Sequence, residues 1–451
     1  MSRSPSPASP LGSAPTGAAG KLVRCHDCDL LQLLPSLPMR SRAKCERCGA
    51  GLLTAKPEAF GRAFALNLTS LILLVIANSF PFLTLKVQGQ VQSSHLLSGA
   101  LDLWREGMGE VAVAVVLFVF VFPLFKIGIG LLVMGPLAHG RSLRGAAGLY
   151  RLFDRLHPWA MTEIFLLGVL VAYTKLIDLA TVEMGPSLYA FVAMILTMIL
   201  ADVAVDPHQV WERLRPTPRL PLPAPEDRAR LVGCHTCQLV VPLPDLPPGD
   251  EALCPRCGSA LHRRKPKSLA RTGALVMTAA MLYVPANLYP VMTFSALGSG
   301  EPSTIIGGVM ELVAANMWPL AAIVFTASIL VPMLKLISMS YLVLATRNGS
   351  RWRLKDRTLI YRLNELVGRW SMVDVFVVSI LVALVQLGSI ANIVPGFGIL
   401  AFASVVVLTM LAAISFDPRL MWDAMEETRQ TDAASRDQPV PPSQLGEPLR
   451  P

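Results

Sequence analysis

The chain has 451 residues, of which 53% are hydrophobic and only 16% are charged. A soluble domain averages about 25% charged residues, so this composition excludes an ordinary water-soluble protein. The net charge of +9 would suit nucleic acid, but the basic residues cluster in loops beside apolar runs, a pattern that indicates membrane topology and no nucleic-acid partner.

The first 20 residues are rich in Ser, Pro, Ala and Gly and contain no continuous apolar core. They lack the features of a secretory signal, and they cannot bury enough apolar surface to become ordered. We therefore expect a disordered tail over residues 1–20. A second disordered tail is expected over residues 423–451, which are polar and contain Pro.

A four-cysteine motif follows the first tail and recurs 209 positions later with the same spacing, C-H-x-C-x16-C-x-R-C-G. Two C-x-x-C knuckles at this separation are typical of a zinc ribbon with four thiolate ligands. We predict two structural zinc ions, with iron as the less favoured metal and a thioredoxin-like redox pair as the alternative to metal binding. The predicted ligands are Cys25, Cys28, Cys45 and Cys48 in the first ribbon and Cys234, Cys237, Cys254 and Cys257 in the second. His26 and His235 lie inside the knuckles, but four thiolates already close each site.

The repeat extends beyond the cysteines. An offset of 209 places Lys56-Pro57 on Lys265-Pro266, and an offset of 211 later places Asp206-Pro207 on Asp417-Pro418. Such long self-similarity identifies a tandem duplication.

Each half contains four apolar stretches long enough to cross a hydrocarbon core about 30 Å thick, and backbone groups inside lipid must be satisfied within a helix. We predict an all-α membrane protein with eight transmembrane helices, each half being a β-rich ribbon followed by a four-helix bundle. The predicted spans are 62–85, 109–135, 158–178 and 186–206, then 270–295, 319–346, 370–393 and 396–416. The predicted segments are tail 1–20, ribbon 21–56, membrane domain 57–210, linker 211–229, ribbon 230–265, membrane domain 266–422 and tail 423–451.

Arginines set the expected orientation. The segment between the second and third spans is Arg-rich in both halves, whereas the opposite side carries only Lys86 and Arg105 in the first half. Because positive residues favour the cytoplasmic side, these Arg-rich segments are predicted to be cytoplasmic. Four spans per half is an even number, so both ribbons and both chain termini are predicted to lie there too.

Several ionisable residues fall inside the predicted spans, where they are costly and therefore candidates for function. Lys126 and Lys335 occupy the same repeat position, three residues after a Pro, and Glu163 corresponds to Asp374. We expect each Lys to meet the carboxylate of the neighbouring third span. Such a pair would either hold two helices together or take part in transport.

The first half alone carries Lys175 and Asp178, spaced to share one helix face near the outer end of its third span. Their counterparts are Gln386 and Ser389. Snorkelling to the interface is one explanation for Lys175. The other is a proton relay or a contact with a lipid headgroup.

With the doubled ribbons, the P-x-x-K spans and the Y-R-L segments at Tyr150 and Tyr361, the chain resembles the paraquat-inducible protein A family over about residues 20–425. The resemblance implies a tetraspanin-like bundle in the inner membrane of a Gram-negative bacterium. It implies phospholipid as substrate and an MCE-domain tunnel protein, on a separate chain, as periplasmic partner. It also implies that Lys175, Asp178, Lys335 and Asp374 belong to the family's polar membrane core.

The sequence contains no Walker A, G-x-S-x-G or H-E-x-x-H motif, so we predict that the chain is not an enzyme. The first functional hypothesis is a lipid transport component that loads or extracts phospholipid, driven by the proton gradient. A zinc- or redox-responsive membrane scaffold that recruits partners is the second. A membrane oxidoreductase with iron in its ribbons is the third.

Overall fold

The computed structural model describes residues 21–425 except 36, 40, 55, 58, 88–89, 142, 177–180, 217–230, 244–251, 297–298, 315 and 386–390. Residues 1–20 and 426–451, where the tails are predicted, lie outside the described residues, whereas residues 423–425 are helical. The chain forms two compact units. The ribbon unit comprises Met1–Glu58 and Asp206–Leu261, and the helical unit comprises Ala59–Val205 and His262–Pro451.

The elements follow the duplication. In the first half they are β1 (Lys21–Arg24), β2 (Leu31–Leu34), β3 (Arg42–Lys44), β4 (Gly51–Thr54), α1 (Phe60–Ser79), β5 (Leu83–Val87), β6 (Gln90–Ser94), α2 (Ser98–Arg105), α3 (Gly109–Val116), α4 (Phe122–Ala138), α5 (Ala146–Leu156), α6 (Thr162–Leu176), β7 (Thr181–Met184), α7 (Pro186–Ala204) and α8 (Pro207–Leu214). In the second half they are β8 (Leu231–Gly233), β9 (Val240–Pro242), α9 (Ser268–Leu288), β10 (Met292–Ala296), β11 (Ser299–Ser303), α10 (Ile305–Ala314), α11 (Trp318–Phe325), α12 (Val331–Arg347), α13 (Leu354–Gly368), α14 (Val373–Leu384), β12 (Ala391–Pro395) and α15 (Phe397–Ser415).

Among the described residues, eight helical stretches are long and apolar enough to cross a membrane, as predicted. They are Phe60–Ser79, Gly109–Ala138, Ala146–Thr174, Pro186–Ala204, Ser268–Leu288, Ala321–Arg347, Leu354–Leu384 and Phe397–Ser415. Part of each Arg-rich segment that precedes a third span is helical and forms α5 or α13.

The second span of each half carries a π-helical turn at the same repeat position. These turns are Leu117–Val121, between α3 and α4, and Thr326–Leu330, between α11 and α12. Each lies just before a proline, Pro123 or Pro332, which has no N–H to donate and clashes with the carbonyl four residues earlier. A π-turn widens the helix locally, so the proline is accommodated without ending the span.

The first spans end earlier than predicted. Helix α1 stops at Ser79 and α9 at Leu288, because Pro81 and Pro290 force the residues before them into extended backbone. The predicted helical extensions to residues 85 and 295 are wrong: β5 and β10 occupy these positions. Each pairs antiparallel with two other strands, giving the sheet orders β6-β5-β7 and β11-β10-β12.

A glycine closes each of these small sheets. The Gly185 N–H donates to Phe82 O at 3.0 Å, and the Gly396 N–H donates to Val291 O at 2.8 Å. A Cβ at Gly185 would overlap the carbonyl oxygen of Pro81, and one at Gly396 would overlap that of Pro290. These positions therefore require glycine because another backbone approaches closely.

We expect Gly185→Ala to destabilise the protein by about 1–3 kcal/mol, because the backbone around Pro81 must shift to relieve the overlap. Thermal unfolding of the purified protein in detergent measures this loss. Gly128→Ala is the matched control, since a Cβ at this helical glycine meets nothing within 4 Å. Equal unfolding temperatures for the two variants would contradict the prediction.

The two halves meet within the helical unit at their third spans. Helix α14 is buried at every residue except Asp374. Phe376 on α14 contacts Phe165 on α6, with ring centroids 5.6 Å apart. On another face, α2 approaches α14 so closely that a Cβ at Gly99 would overlap Ser379.

Candidate metal centres and a buried polar strip

Each ribbon knuckle is a tight turn that brings two cysteines together. The residue after the second cysteine adopts left-handed backbone in all four knuckles: Asp29 (φ 62°), Gly49 (φ 72°), Gln238 (φ 59°) and Gly258 (φ 71°). The turn then closes by backbone bonds such as Gly49 N–H to Cys45 O at 2.9 Å. The sequence indicates this geometry at the two glycines, whereas Asp29 and Gln238 give no such signal.

The eight cysteines form two clusters, as the spacing predicts. In each cluster the four sulfurs lie within 4.8 Å of one another. The Sγ atoms of Cys25 and Cys48 are 3.5 Å apart, and those of Cys234 and Cys257 are also 3.5 Å apart. A tetrahedral ion with Zn–S bonds of about 2.3 Å needs sulfurs about 3.8 Å apart. The sulfurs of both clusters are slightly closer than this, so a small outward movement of the sulfurs would allow four-thiolate coordination.

The sulfurs of each cluster shift one another's acidity. Hydrogen bonds led by the one from Cys25 lower the pKa of Cys48 to about 7, whereas hydrogen bonds led by the one from Cys28 raise the pKa of Cys25. In the second cluster, hydrogen bonds led by the one from Cys234 lower the pKa of Cys254 to about 6. Thiolate formation near neutral pH is what metal binding requires.

The two ribbons pack against each other and against α8 in the ribbon unit. Arg24 on β1 forms an ion pair with Asp29 at 2.8 Å and also donates to Leu231 O on β8. The buried Arg256 donates to the carbonyl of His208 on α8 at 3.4 Å. Helix α8 begins where Asp206 caps the His208 N–H at 2.9 Å, with Pro207 as first helical residue.

His26 and His235 are both exposed. The His26 ring nitrogen Nε2 lies 3.4 Å from Asp27 Oδ1. Neither histidine belongs to the four-sulfur clusters.

In the first half, Lys126 is buried on α4 and pairs with a carboxylate. Its Nζ lies 2.6 Å from Asp202 Oδ2 on α7, the fourth span. The predicted partner, Glu163 of the third span, is therefore wrong for this lysine. Packing brings the fourth span, rather than the third, to the Lys126 ammonium.

In the second half, Lys335 is equally buried but has different partners. Its Nζ donates to Thr409 Oγ1 on α15 at 2.9 Å and to Gly368 O on α13 at 3.2 Å. Among the described residues, no carboxylate lies within ion-pair distance of this ammonium. The predicted partnership of Lys335 with Asp374 is therefore wrong. A fourth-span carboxylate is missing too, because Ala413 occupies the repeat position of Asp202.

Further polar contacts continue from Lys335 along the interface of α12 and α13. Ser338 Oγ donates to Asn364 Oδ1 at 2.9 Å, and Arg357 Nε donates to Tyr341 OH at 3.3 Å. The residues on α12 are three positions apart, and those on α13 are seven and four positions apart. Each group therefore lies along one face of its helix, and the two faces meet. We call this set the polar strip; its members are Lys335, Ser338, Tyr341, Arg357, Asn364, Gly368 and Thr409.

The polar strip belongs to the second half alone. At the repeat positions of Ser338, Tyr341, Arg357 and Asn364, the first half carries Ile129, Leu132, Ala146 and Phe153. Only the lysine is shared. The duplication has therefore produced one half with an apolar interface and a neutralised lysine, and another with a polar interface around an unneutralised one.

The remaining predicted membrane charges are placed as follows. Glu163 lies in the first turn of α6 and Asp374 in the first turn of α14, where a carboxylate is stabilised by the helix dipole. Asp178 and the side chain of Lys175 lie outside the described residues. Sequence reasoning missed Asp202, although an acidic residue inside an apolar span is the same signal that identified the others.

We expect Lys126→Met to destabilise the protein by about 3–5 kcal/mol, because it leaves the Asp202 carboxylate without its cation. The double variant Lys126→Met/Asp202→Asn should regain most of this loss, since both charges are then absent. Thermal unfolding of the three proteins in detergent forms the test. A double variant no more stable than the single one would show that the ion pair is not the cause.

Comparison with known proteins agrees with this architecture. The family model of paraquat-inducible protein A matches residues 60–215 and 269–426, one segment in each half. Intermembrane transport protein PqiA of Escherichia coli K12 is 36% identical over 419 residues, which cover 92% of this chain and 99% of that protein. The lipophilic envelope-spanning tunnel protein A of the same strain is 31% identical, with 90% and 92% covered.

A probable intermembrane transport protein of Haemophilus influenzae is 27% identical over 89% of this chain and 96% of its own length. No solved structure matches the chain, so its likeness to tetraspanins stays a prediction. The relatives are named for transport rather than catalysis, in keeping with a protein that is not an enzyme. The eight apolar helices and the two matched segments support a multi-pass inner-membrane protein, and the chain belongs to the paraquat-inducible protein A family.

Proposed function

We propose that this protein moves phospholipid between the inner and outer membranes of a Gram-negative bacterium. The observation that carries the proposal is the polar strip, with Lys335 buried among apolar spans and no described carboxylate to neutralise it. A buried cation of this kind suits a phosphate-bearing headgroup that passes along the helix interface. The names of the relatives, intermembrane transport protein and lipophilic envelope-spanning tunnel protein, favour the same function.

Within this proposal, the membrane charges form one pathway. Lys335 and Asp374 serve the half that carries the lipid, and Glu163, Lys175 and Asp178 serve the other half in proton movement or headgroup contact. Lys126, a candidate from the sequence, is paired with Asp202 and lies outside this pathway. Coupling to the proton gradient would supply the energy, since the chain has no Walker A motif.

The partner in this proposal is an MCE-domain tunnel protein on a separate chain, reached on the periplasmic side. The Arg-rich helices α5 and α13 would then face the cytoplasm, together with both ribbons and both termini. The sheets formed by β5–β7 and β10–β12 would face the periplasm. We retain the predicted division into two tails, two ribbons, two membrane domains and the linker 211–229, which begins inside α8.

Zinc is the metal that we propose for both clusters, one ion in each. The residues that would hold it are the eight cysteines, and a bound ion would supply structure rather than catalysis, because four thiolates leave no open position. The ribbons would thus stabilise the ribbon unit while the helical unit handles lipid.

The proposal is tested by following pulse-labelled phospholipid in cells that lack the protein and in cells complemented with it. We expect slower equilibration of label between the inner and outer membranes without the protein. In the same cells, a photoreactive residue at the exposed position Val91 on β6 should capture an MCE-domain protein. If labelled phospholipid equilibrates between the membranes at the same rate in the deleted strain, the proposed transport function is wrong. If the photoreactive residue captures proteins but no MCE-domain protein, the proposed partner is wrong.

A second candidate is a scaffold that recruits partners in response to zinc or redox state. The observation that favours it is the packing of both ribbons and α8 into one compact unit. In this case cysteine substitutions should abolish function while Lys335 and Asp374 prove dispensable. Comparing the two sets of variants in the pulse-label experiment therefore separates the two candidates.

A further inference from the structure

An apolar groove lies between α2 and α3 of the first half. It encloses about 390 Å³, and every residue that lines it is apolar. Ligand-binding clefts usually measure roughly 300–1,000 Å³, so the groove is large enough for part of a ligand. Its walls include Leu97, Leu101 and Trp104 from the α2 side and Val113 and Val116 from α3.

The groove forms because one face of α2 packs against another helix while the opposite face stays exposed. One face, at Gly99, is pressed against Ser379 on α14. The opposite face carries Leu101 and Trp104, whose side chains are 60% and 61% exposed. The Trp104 ring lies over Gly109 at the start of α3, where a Cβ would come within 3.3 Å of it. The indole thus forms one wall, and the missing side chain at Gly109 makes room for it.

A cation lies next to this wall. Arg105 follows Trp104 as the last residue of α2, and its side chain is 76% exposed. Its Nη1 is 3.0 Å from Asp102 Oδ1, while a guanidinium has five N–H donors. Donors therefore remain for an external anion beside an apolar groove.

We infer that this groove binds one acyl chain of a phospholipid, with the lipid phosphate held by Arg105. The combination of an all-apolar cleft, an amphipathic indole and an adjacent arginine matches the two parts of such a lipid. The inference goes beyond the proposed function, since the groove lies in the first half and binds lipid whether or not the polar strip acts in transport.

The second half lacks the residues that build the site. At the repeat positions of Trp104, Arg105 and Gly109 it carries Val313, Ala314 and Trp318. A large side chain thus replaces the glycine, and the indole wall and the cation are both missing. The second half therefore supplies a control within the same molecule.

The test uses the full chain in nanodiscs that contain phosphatidylglycerol with a photoreactive group on one acyl chain. Peptide mapping by mass spectrometry should find label on residues 97–117 about tenfold above that on the repeat-equivalent residues 306–326. Val113→Trp, at an exposed groove position, should lower the label on 97–117 about tenfold. Ala322→Trp, which places a tryptophan at the equivalent exposed position of the second half, should leave the label on 97–117 unchanged.

A third variant tests the phosphate contact. Arg105→Gln should lower labelling by the phospholipid but not by a photoreactive diacylglycerol, which has the same chains and no phosphate. Equal label in the two halves, or unchanged label in Val113→Trp, would overturn the acyl-chain site. Equal effects of Arg105→Gln on both probes would overturn the phosphate contact. Neither result bears on transport, which the pulse-label experiment measures.

Discussion

Lys335→Met should lower phospholipid transfer between the membranes about tenfold or more, which corresponds to ~1.4 kcal/mol, while the protein stays folded. The substitution removes the ammonium at the end of the polar strip where α12 meets α15, and it leaves behind the neutral partners Thr409 Oγ1 and Gly368 O. Replacing a buried charge with an apolar side chain of similar volume is often neutral or stabilising. Transfer is measured by pulse-labelled phospholipid, and folding by the yield and unfolding temperature of purified protein.

The matched control for Lys335→Met is the double variant Lys126→Met/Asp202→Asn. It removes the repeat-equivalent lysine together with its carboxylate, so no buried charge is left unpaired. Transfer should change much less in this variant, because Lys126 is already neutralised and its interface with α5 is apolar. Normal transfer in well-expressed Lys335→Met protein would refute the role given to the polar strip.

The second large effect is expected in the ribbons. Cys234→Ser/Cys237→Ser should reduce the metal content from two ions to one and unfold the second ribbon. A ribbon this small has little core, and structural zinc contributes about 10–16 kcal/mol of apparent binding free energy in comparable peptides. Elemental analysis measures the loss of metal, and limited proteolysis reports the unfolding.

Thr236→Ala is the control for the cysteine variant, because Thr236 lies in the same knuckle but its hydroxyl contacts only Ser259 Oγ, at 3.1 Å. It should keep both ions. Elemental analysis also separates zinc from iron, since iron in four thiolates would make the protein coloured and redox-active. Retention of two ions by the cysteine variant would show that the cluster is not the metal site.

The parts of the fold that could be predicted from the sequence depend on local patterns. Cysteine spacing predicts the two sulfur clusters because each knuckle folds within a few residues. Apolar length predicts the eight spans because a helix in lipid satisfies its own backbone. The duplication predicts that both halves share one arrangement, and the π-helical turns before Pro123 and Pro332 do recur at the same repeat position.

What could not be predicted depends on contacts between distant residues. Strands β5 and β7 pair with each other although almost a hundred residues of chain separate them, so no local sequence pattern predicts this pairing. The partner of Lys126 was predicted from neighbouring spans in the chain, but helix packing brings Asp202 of the fourth span to it. The polar strip was missed for a related reason: Ser338, Asn364 and Arg357 are unremarkable in sequence, and only the facing of α12 and α13 makes them one feature.

The even number of spans in each half has a consequence for how such a protein can work. Many secondary transporters open alternately to the two sides by exchanging the conformations of two inverted halves. With four spans in each half, the two halves are predicted to have the same orientation in the membrane. Exchanging the conformations of two such halves would not change the side on which a cavity opens. In the proposed function, opening towards each side would therefore have to come from movements within or between the halves other than such an exchange, and the proton gradient would set the direction of net movement.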